Sequence, residues 1–380
     1  MQKKHSQLVV CMDSFKGCLT SEQAGEAALK AFPEGEAAVI PVSDGGEGFT
    51  SVLTGELGGE YRTVRCCDPL GRPVEATYGL VRNGLVAVIE TAAASGLWRL
   101  SPSELNPLTA STFGTGELIA DALEEGVEEI WLGLGGSATC DGGTGLLQAL
   151  GYRFLTPGGM LENGHTVLGN IIEVDSSHRH KALSGCRIKG FYDVSVPFCG
   201  TGGSARVFAP QKGAGEGMVD ALDNWMSQLC DVYSRFSGRE IRNTPGSGAA
   251  GGIGGALRAM LGASMTPGIW HVLEISEIGR TLDTCDLVIT GEGRADSQTL
   301  HGKVPAGVLE YVRRYDYECG GARHTKVVLL AGQVSDRQEL LDAGFDAVLQ
   351  STPEDMPLEE ALDPQTAARN ITSALSVFSE

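Results

Sequence analysis

The sequence predicts an α/β protein of two domains, one assembled from both ends of the chain and the other inserted within it, and three observations carry that expectation. A chain of 380 residues exceeds what one hydrophobic core organises, since cores stop growing near roughly 250–300 residues. Apolar runs alternate with helical periodicity at both ends, the grammar of parallel β-α-β units. Between those ends the pattern turns to extended segments punctuated by turn residues.

Residues 8–12 form the first apolar run. A helix follows in TSEQAGEAALKAF, opened by a capping box at Thr20 and Gln23 and carrying Ala24, Ala27, Ala28, Ala31 and Phe32 at helical spacing. Residues 37–42 supply the next strand. From 61 to 92 the turn signals DPLGRPV and RNG predict antiparallel hairpins, and the change of grammar starts the inserted domain there. A helix over 116–125 stops at Gly126, the strand EEIWLGLGG follows, and a helix opens near Asp141 and ends at Gly151. A strand at 188–192 and a long amphipathic helix at 218–236 come next. Near Cys285 the first grammar returns as CDLVITGEG, a helix after Pro305, TKVVLLAG, a helix near Glu339, FDAVLQS and a closing helix capped by Asp363 and Pro364. Residues 1–66 with 283–380 are therefore expected to form one Rossmann- or flavodoxin-like α/β domain, and residues 67–282 the inserted α/β domain with its glycine-rich loops.

Composition narrows the function classes. A formal charge of −19 opposes nucleic-acid binding, and an anionic substrate then requires local lysines, arginines, helix N-termini and a bound cation. The start MQKKHSQLVVC holds a four-residue apolar run, too short for a signal-peptide core, and no stretch approaches the roughly 20 apolar residues of a membrane span. A cytoplasmic location and no membrane partner are expected. The ten cysteines contain no C-x-x-C pair and read as small buried hydrophobes. Glycine, at 53 residues, is about twice its usual share, so many backbone segments must turn tightly or approach something closely.

Five glycine-rich polar segments follow apolar runs: DSFKG at 13–17, SDGGEG at 43–48, GGSATCDGG at 135–143, APQKGA at 209–214 and GEGRADSQTLHGK at 291–303. Singly, each is ordinary turn chemistry. Together they combine carboxylates suited to an oxygen-ligated Mg²⁺ with glycine amides and lysines suited to phosphate. Candidate ligands for substrate and phosphate are Ser14, Gly45, Gly46, Gly136, Ser137, Asp141, Arg206, Lys212, Glu292, Arg294 and Lys303. Asp141 reads equally as a helix N-cap. Lys303, ahead of Pro305, brings its ammonium to the first turn of a helix. The glycines of AAGGIGGALRAML disfavour a helix by about 4 kcal/mol, so either a helix packed at backbone contact or a ligand is expected against them. Gly133-Leu-Gly135-x-x-Ala138 fits a loose dinucleotide fingerprint, which keeps an NAD(P)-dependent hydroxy-acid oxidoreductase open. Walker A and protein-kinase signatures are absent from the sequence.

In this order, DSFKG, PVSDGGEG, DPLGRPV, TASTFGTGEL, GLGGSATCDGGTG, DVSVPF, APQKGA, PGSGAAGGIGGAL and ITGEGRADSQTLHGKVP resemble the type-1 glycerate kinase family over nearly the whole chain. The resemblance implies an ATP-dependent kinase of D-glycerate with a two-domain α/β fold and phosphoglycerate as product, the 2-isomer expected. ATP and Mg²⁺ are then the cofactors, D-glycerate the partner, and the protein a monomer or homodimer. Asp44 and Asp193 are assigned to Mg²⁺ or to the glycerate hydroxyl proton, with Asp296 a further metal ligand. Lys16, Lys212 and Lys303 are assigned to phosphates, with Lys16 among the catalytic candidates alongside Asp193 and Asp44. Arg294 or Arg206 is assigned to the substrate carboxylate. Val196 stands where the family has Asn, and Thr201-Gly202 where it has Asp-Asn. Those departures leave a non-catalytic nucleotide or organic-acid sensor as a further alternative.

Overall fold

The computed structural model describes residues 7–33, 37–161, 170–276, 278–300, 302–320 and 323–378. Most of the segment read above for a signal peptide, residues 1–6, lies outside the described residues. The chain divides into two compact units, residues 1–44 with 269–380 and residues 45–268.

The first unit is built on a five-stranded sheet of β1 (Gln7–Met12), β2 (Ala37–Val39), β12 (Cys285–Ala295), β13 (Lys326–Val334) and β14 (Ala347–Gln350). Its order is β14-β13-β12-β1-β2, and every pairing is parallel. Counted along this unit the order is the flavodoxin-like 2-1-3-4-5, which reverses direction between β1 and β12. One face buries Leu8, Val10, Met12, Ile289, Val328 and Leu330 against the helices Ser21–Leu29 and Pro364–Leu375. Residues of the opposite parity, Val9, Cys11, Val288 and Thr290, are buried on the other face. The expected capping box is present: Thr20 accepts from the Gln23 amide while the Gln23 side chain accepts from the Thr20 amide. Next to it, Ser21 Oγ donates to Met12 O at 2.6 Å and accepts from Val42 N at 3.1 Å, tying the end of β1 to the segment after β2.

The second unit carries β3 (Glu60–Cys67), β4 (Pro73–Val81), β5 (Val86–Glu90), β6 (Glu129–Gly133), β10 (Arg187–Tyr192) and β11 (Ser264–Pro267) in the order β11-β10-β6-β5-β4-β3. β3, β4 and β5 pair antiparallel, and β5, β6, β10 and β11 parallel. A small antiparallel sheet adds β7 (Arg153–Thr156), β8 (Gly159–Met160) and β9 (Glu173–Asp175). The hairpins expected from 61 to 92 are β3–β5. DPLGRPV is their first turn, closed by Asp68 Oδ1 accepting from the amides of Leu70 and Arg72.

Two boundaries differ from those read off the pattern. Residues 45–66 lie in the second unit, because the helix Phe49–Glu56 packs on β4 and β5 and β3 pairs along β4. At the other junction the chain re-enters the first unit at Ile269, whose side chain packs where a β-carbon on Gly307 would stand. The run at 249–260 is a kinked helix, with Ala250, Gly251 and Gly252 at φ 53°, 69° and 96°. What fits against it is a loop. A β-carbon on Gly251 would lie 1.9 Å from Thr139 O, and Gly142 N donates to Gly251 O at 2.9 Å.

Gly251→Ala combines a left-handed backbone, costing about 1–2 kcal/mol for an L-residue, with that backbone clash. We expect a loss of at least about 2 kcal/mol in urea unfolding. An unchanged midpoint would refute the packing described.

Candidate functional site

In the first unit, polar side chains gather where the strand order reverses, at the carboxyl ends of β1 and β12, the position at which open α/β sheets bind ligands. Asp13 directly follows β1, its amide donating to Gly291 O at 2.8 Å. Its carboxylate accepts from Ser14 N at 2.7 Å. Burial, then the nearby Asp44 carboxylate, push the Asp13 pKa well above the usual range, against the opposing pull of the Ser14 amide and Lys16. Glu292, in β12 and 6% exposed, accepts from Thr299 Oγ1 at 2.7 Å and pairs with Lys303 Nζ at 2.9 Å. Burial raises its pKa, and Lys303 is the main opposing influence. Lys303 is the N-cap residue of the helix Val304–Glu318, with proline in the first turn as expected. Ser14 Oγ and Thr290 Oγ1 are buried without a hydrogen-bond partner, an expensive state that a polar ligand relieves. Arg294 is mostly exposed and loosely paired with Asp296, at 3.7 Å. Ser14, Lys16, Asp44, Glu292 and Lys303 thus belong to one neighbourhood with Asp13.

In the second unit the carboxyl ends of β5, β6 and β10 collect a second set. Gly45 and Gly46 lie against them: Gly135 N donates to Gly45 O at 3.0 Å, a β-carbon on Gly45 would stand 2.7 Å from Phe191 O, and one on Gly135 2.3 Å from Gly46 Cα. Gly135 therefore serves backbone packing against Gly46, and the dinucleotide fingerprint loses the close approach it needs. Asp193 follows β10, half-buried. Gly136 and Ser137 face the segment after β5, through Leu97 N donating to Gly136 O and a bridge between Gly96 and Ser137.

Three candidates are spent inside the fold. Asp141 is fully buried and accepts four hydrogen bonds, from Thr112 N and Oγ1, Gly143 N and Gly145 N. It fastens the starts of the helices Phe113–Glu124 and Thr144–Ala149. The N-cap of the second helix is Gly143, so Asp141 caps from two residues upstream, and its saturated oxygens do not suit it to substrate. Lys212 is buried and donates to Ser137 Oγ at 3.0 Å and Thr139 O at 2.7 Å, two of its three donors. Burial lowers its pKa. Arg206 pairs with Asp220 at 3.0 Å and Asp223 at 3.1 Å, so its guanidinium is committed to the helix Glu216–Ser237.

Asp13, within the candidate segment DSFKG, and Glu90 are acidic residues not singled out individually from the sequence. Both directly end or follow a buried strand, the signal that marks them. Glu90 accepts from Thr50 N at 2.7 Å and so holds the start of the helix Phe49–Glu56. Among the described residues no group of three or more His, Cys, Asp or Glu side chains is arranged to hold a metal ion. No helix among them is long and apolar enough to cross a membrane.

Comparison with known proteins places these motifs in context. A family model described as the Glycerate kinase family matches residues 8–378. The chain is 39% identical over 375 residues to a Halalkalibacterium halodurans "Glycerate kinase", covering 96% of this chain and 97% of that protein. An Escherichia coli "Glycerate 2-kinase" is 37% identical over 382 residues, 98% of both chains. A crystal structure described as that of a glycerate kinase 2 from Salmonella typhimurium LT2 superposes with a TM-score of 0.80 at 37% identity, covering 98% of this chain and 97% of that one.

Burial pushes the Glu90 pKa from 4.5 up to about 7, with the Thr50 amide opposing. The folded value exceeds the unfolded one, so the stabilisation is present in full below pH 4.5 and is lost as pH rises through about 7. At about 1.4 kcal/mol per pH unit this amounts to about 3 kcal/mol. We expect Glu90→Gln to flatten stability between pH 4.5 and 7 relative to the parent, and parallel profiles in urea titrations would refute the assignment.

Proposed function

The chain belongs to the glycerate kinase family, and on that premise we propose that it transfers the γ-phosphate of Mg-ATP to the 2-hydroxyl of D-glycerate, releasing 2-phosphoglycerate and ADP. The observation carrying this reading is the match to the "Glycerate 2-kinase" of Escherichia coli along 98% of both chains. Phosphoryl transfer needs positioning and charge neutralisation more than covalent chemistry, and the first unit offers groups for both. Lys303 at a helix N-terminus, with Lys16, suits phosphate oxygens in a chain of strongly negative net charge.

Burial, then the nearby Asp44 carboxylate, drives Asp13 toward its protonated form, and this fits a divalent cation, because a bound positive charge removes that penalty. Mg²⁺ supplies neutralisation of the phosphate charge. In the first unit Asp44 and Asp296 are the carboxylates proposed to hold it, with Asp13 added from the geometry; for Asp193, in the second unit, the metal role is a separate proposal from its sequence position. Asp44 or Asp193 accepts the substrate hydroxyl proton in this scheme, and Arg294, the less committed of the two guanidinium candidates, clamps the substrate carboxylate. The oxidoreductase and sensor readings find no support in the comparisons.

A coupled ADP-release assay with ATP, Mg²⁺ and D-glycerate is expected to show turnover, with 2-phosphoglycerate identified by NMR; 3-phosphoglycerate as the product would overturn the regiochemistry. Asp193→Asn is expected to lower kcat at least about 100-fold, the scale of a lost general base. Near-normal turnover would remove Asp193 from the chemistry.

A further inference from the structure

Cys199 and Cys230 lie in a part of the second unit's hydrophobic core that the kinase reading does not use. Cys199 sits in the segment between β10 and the helix Ser204–Phe208. Two backbone bonds hold that segment: Phe198 N donates to Arg242 O at 2.9 Å, and Gly200 N donates to Asp223 Oδ1 at 2.8 Å. Its thiol therefore faces the helix Glu216–Ser237, which carries Ser227, Cys230 and Asp231. Arg242 Nη1 stands 3.1 Å from Cys199 Sγ and 2.8 Å from Ser227 Oγ, and Nη2 lies 2.7 Å from Asp231. Cys230 is near enough for each thiol to perturb the other. Both cysteines are buried, while Thr201 and Gly202, immediately after Cys199, are exposed.

A guanidinium in contact with one of two neighbouring thiols favours the thiolate on which oxidation depends. The neighbouring Cys230 thiol, followed by the Arg242 charge and Ser227, pulls the Cys199 pKa down despite burial, while Cys199 and burial raise that of Cys230. Elsewhere burial pushes Cys66, Cys67 and Cys186 up to about 11.

We propose that Cys199 is a site of oxidative modification by peroxides, with Cys230 as its resolving thiol. The Cys199 thiolate attacks one peroxide oxygen, the O–O bond breaks, and the expelled hydroxide takes a proton to leave as water. Cys230 sulfur then attacks the sulfenic sulfur, the S–O bond breaks, and the Cys230 proton leaves with the hydroxyl as a second water. Two thiols and one peroxide become one disulfide and two waters, with two electrons passing from sulfur to oxygen. The product fastens the segment after β10 to the helix Glu216–Ser237.

The full-length protein, treated with one to two equivalents of hydrogen peroxide under native conditions, tests this by differential alkylation and peptide mass mapping. The Cys199–Cys230 disulfide is expected to form about 10-fold faster than oxidation of the exposed Cys319. In Cys230→Ser the reaction should stop at a Cys199 sulfenic acid captured by dimedone, and in Cys199→Ser residue 230 should stay reduced. Oxidation of Cys319 first, with Cys199 and Cys230 still reduced, overturns the proposal, and that result needs no variant to fold.

Discussion

The second unit depends on one ionisable group placed where water cannot reach it. Asp141 lies at the meeting point of two helix starts and accepts four hydrogen bonds from them. Each bond to a charged acceptor contributes on the order of 1.5–3 kcal/mol, and leaving its donors unmatched would cost comparably. Neighbouring features follow from holding this loop still. Gly142 can donate to Gly251 only if the loop's backbone is fixed, and Lys212 reaches Thr139 and Ser137 on the same loop. A buried cation near the buried anion, each shifted by burial toward its neutral form, with Asp141 favouring the charge on Lys212, ties electrostatics to backbone geometry.

Strand polarity organises the rest. In each unit parallel strands end on the same edge, so residues scattered along the chain arrive together without any local sequence signal linking them. In the first unit that edge receives Asp13 from β1 and Glu292 from β12, whose register pairs Met12 with Gly291. Ser21 adds a clamp that keeps the segment leading to Asp44 beside the end of β1. In the second unit the same logic delivers Glu90, Gly135 and Asp193 from β5, β6 and β10.

Much of this was legible in the residues. The capping box at Thr20, the turn at Asp68 and the long amphipathic helix carry local signals strong enough to place them. The flavodoxin-like sheet followed from the repeated alternation at the two ends. The boundaries were less legible, because β3 reads the same from either side of a domain junction and only its pairing with β4 settles it. Site residues divided by a similar rule. Glycine with lysine marks a loop, and pattern alone does not reveal whether the lysine faces outward or, like Lys212, turns in to bond its own loop. The commitment of Arg206 to Asp220 and Asp223 is likewise a tertiary fact. Asp13 heads the DSFKG segment, but directly after a strand an acidic residue looks like punctuation, and nothing in the pattern ranks it above its neighbours.

The strand order of the first unit bears on how the chain leaves the ribosome. β1 is flanked by β2 and by β12, and its partner Cys285 emerges roughly 280 residues after Gln7. At about 5–20 residues per second, an apolar strand waits tens of seconds with one edge unpaired, and such edges recruit other strands. Chaperone demand during translation is thus written into the position of the insertion, and moving the new termini into that junction by circular permutation would let β1 and β12 be made close together in time.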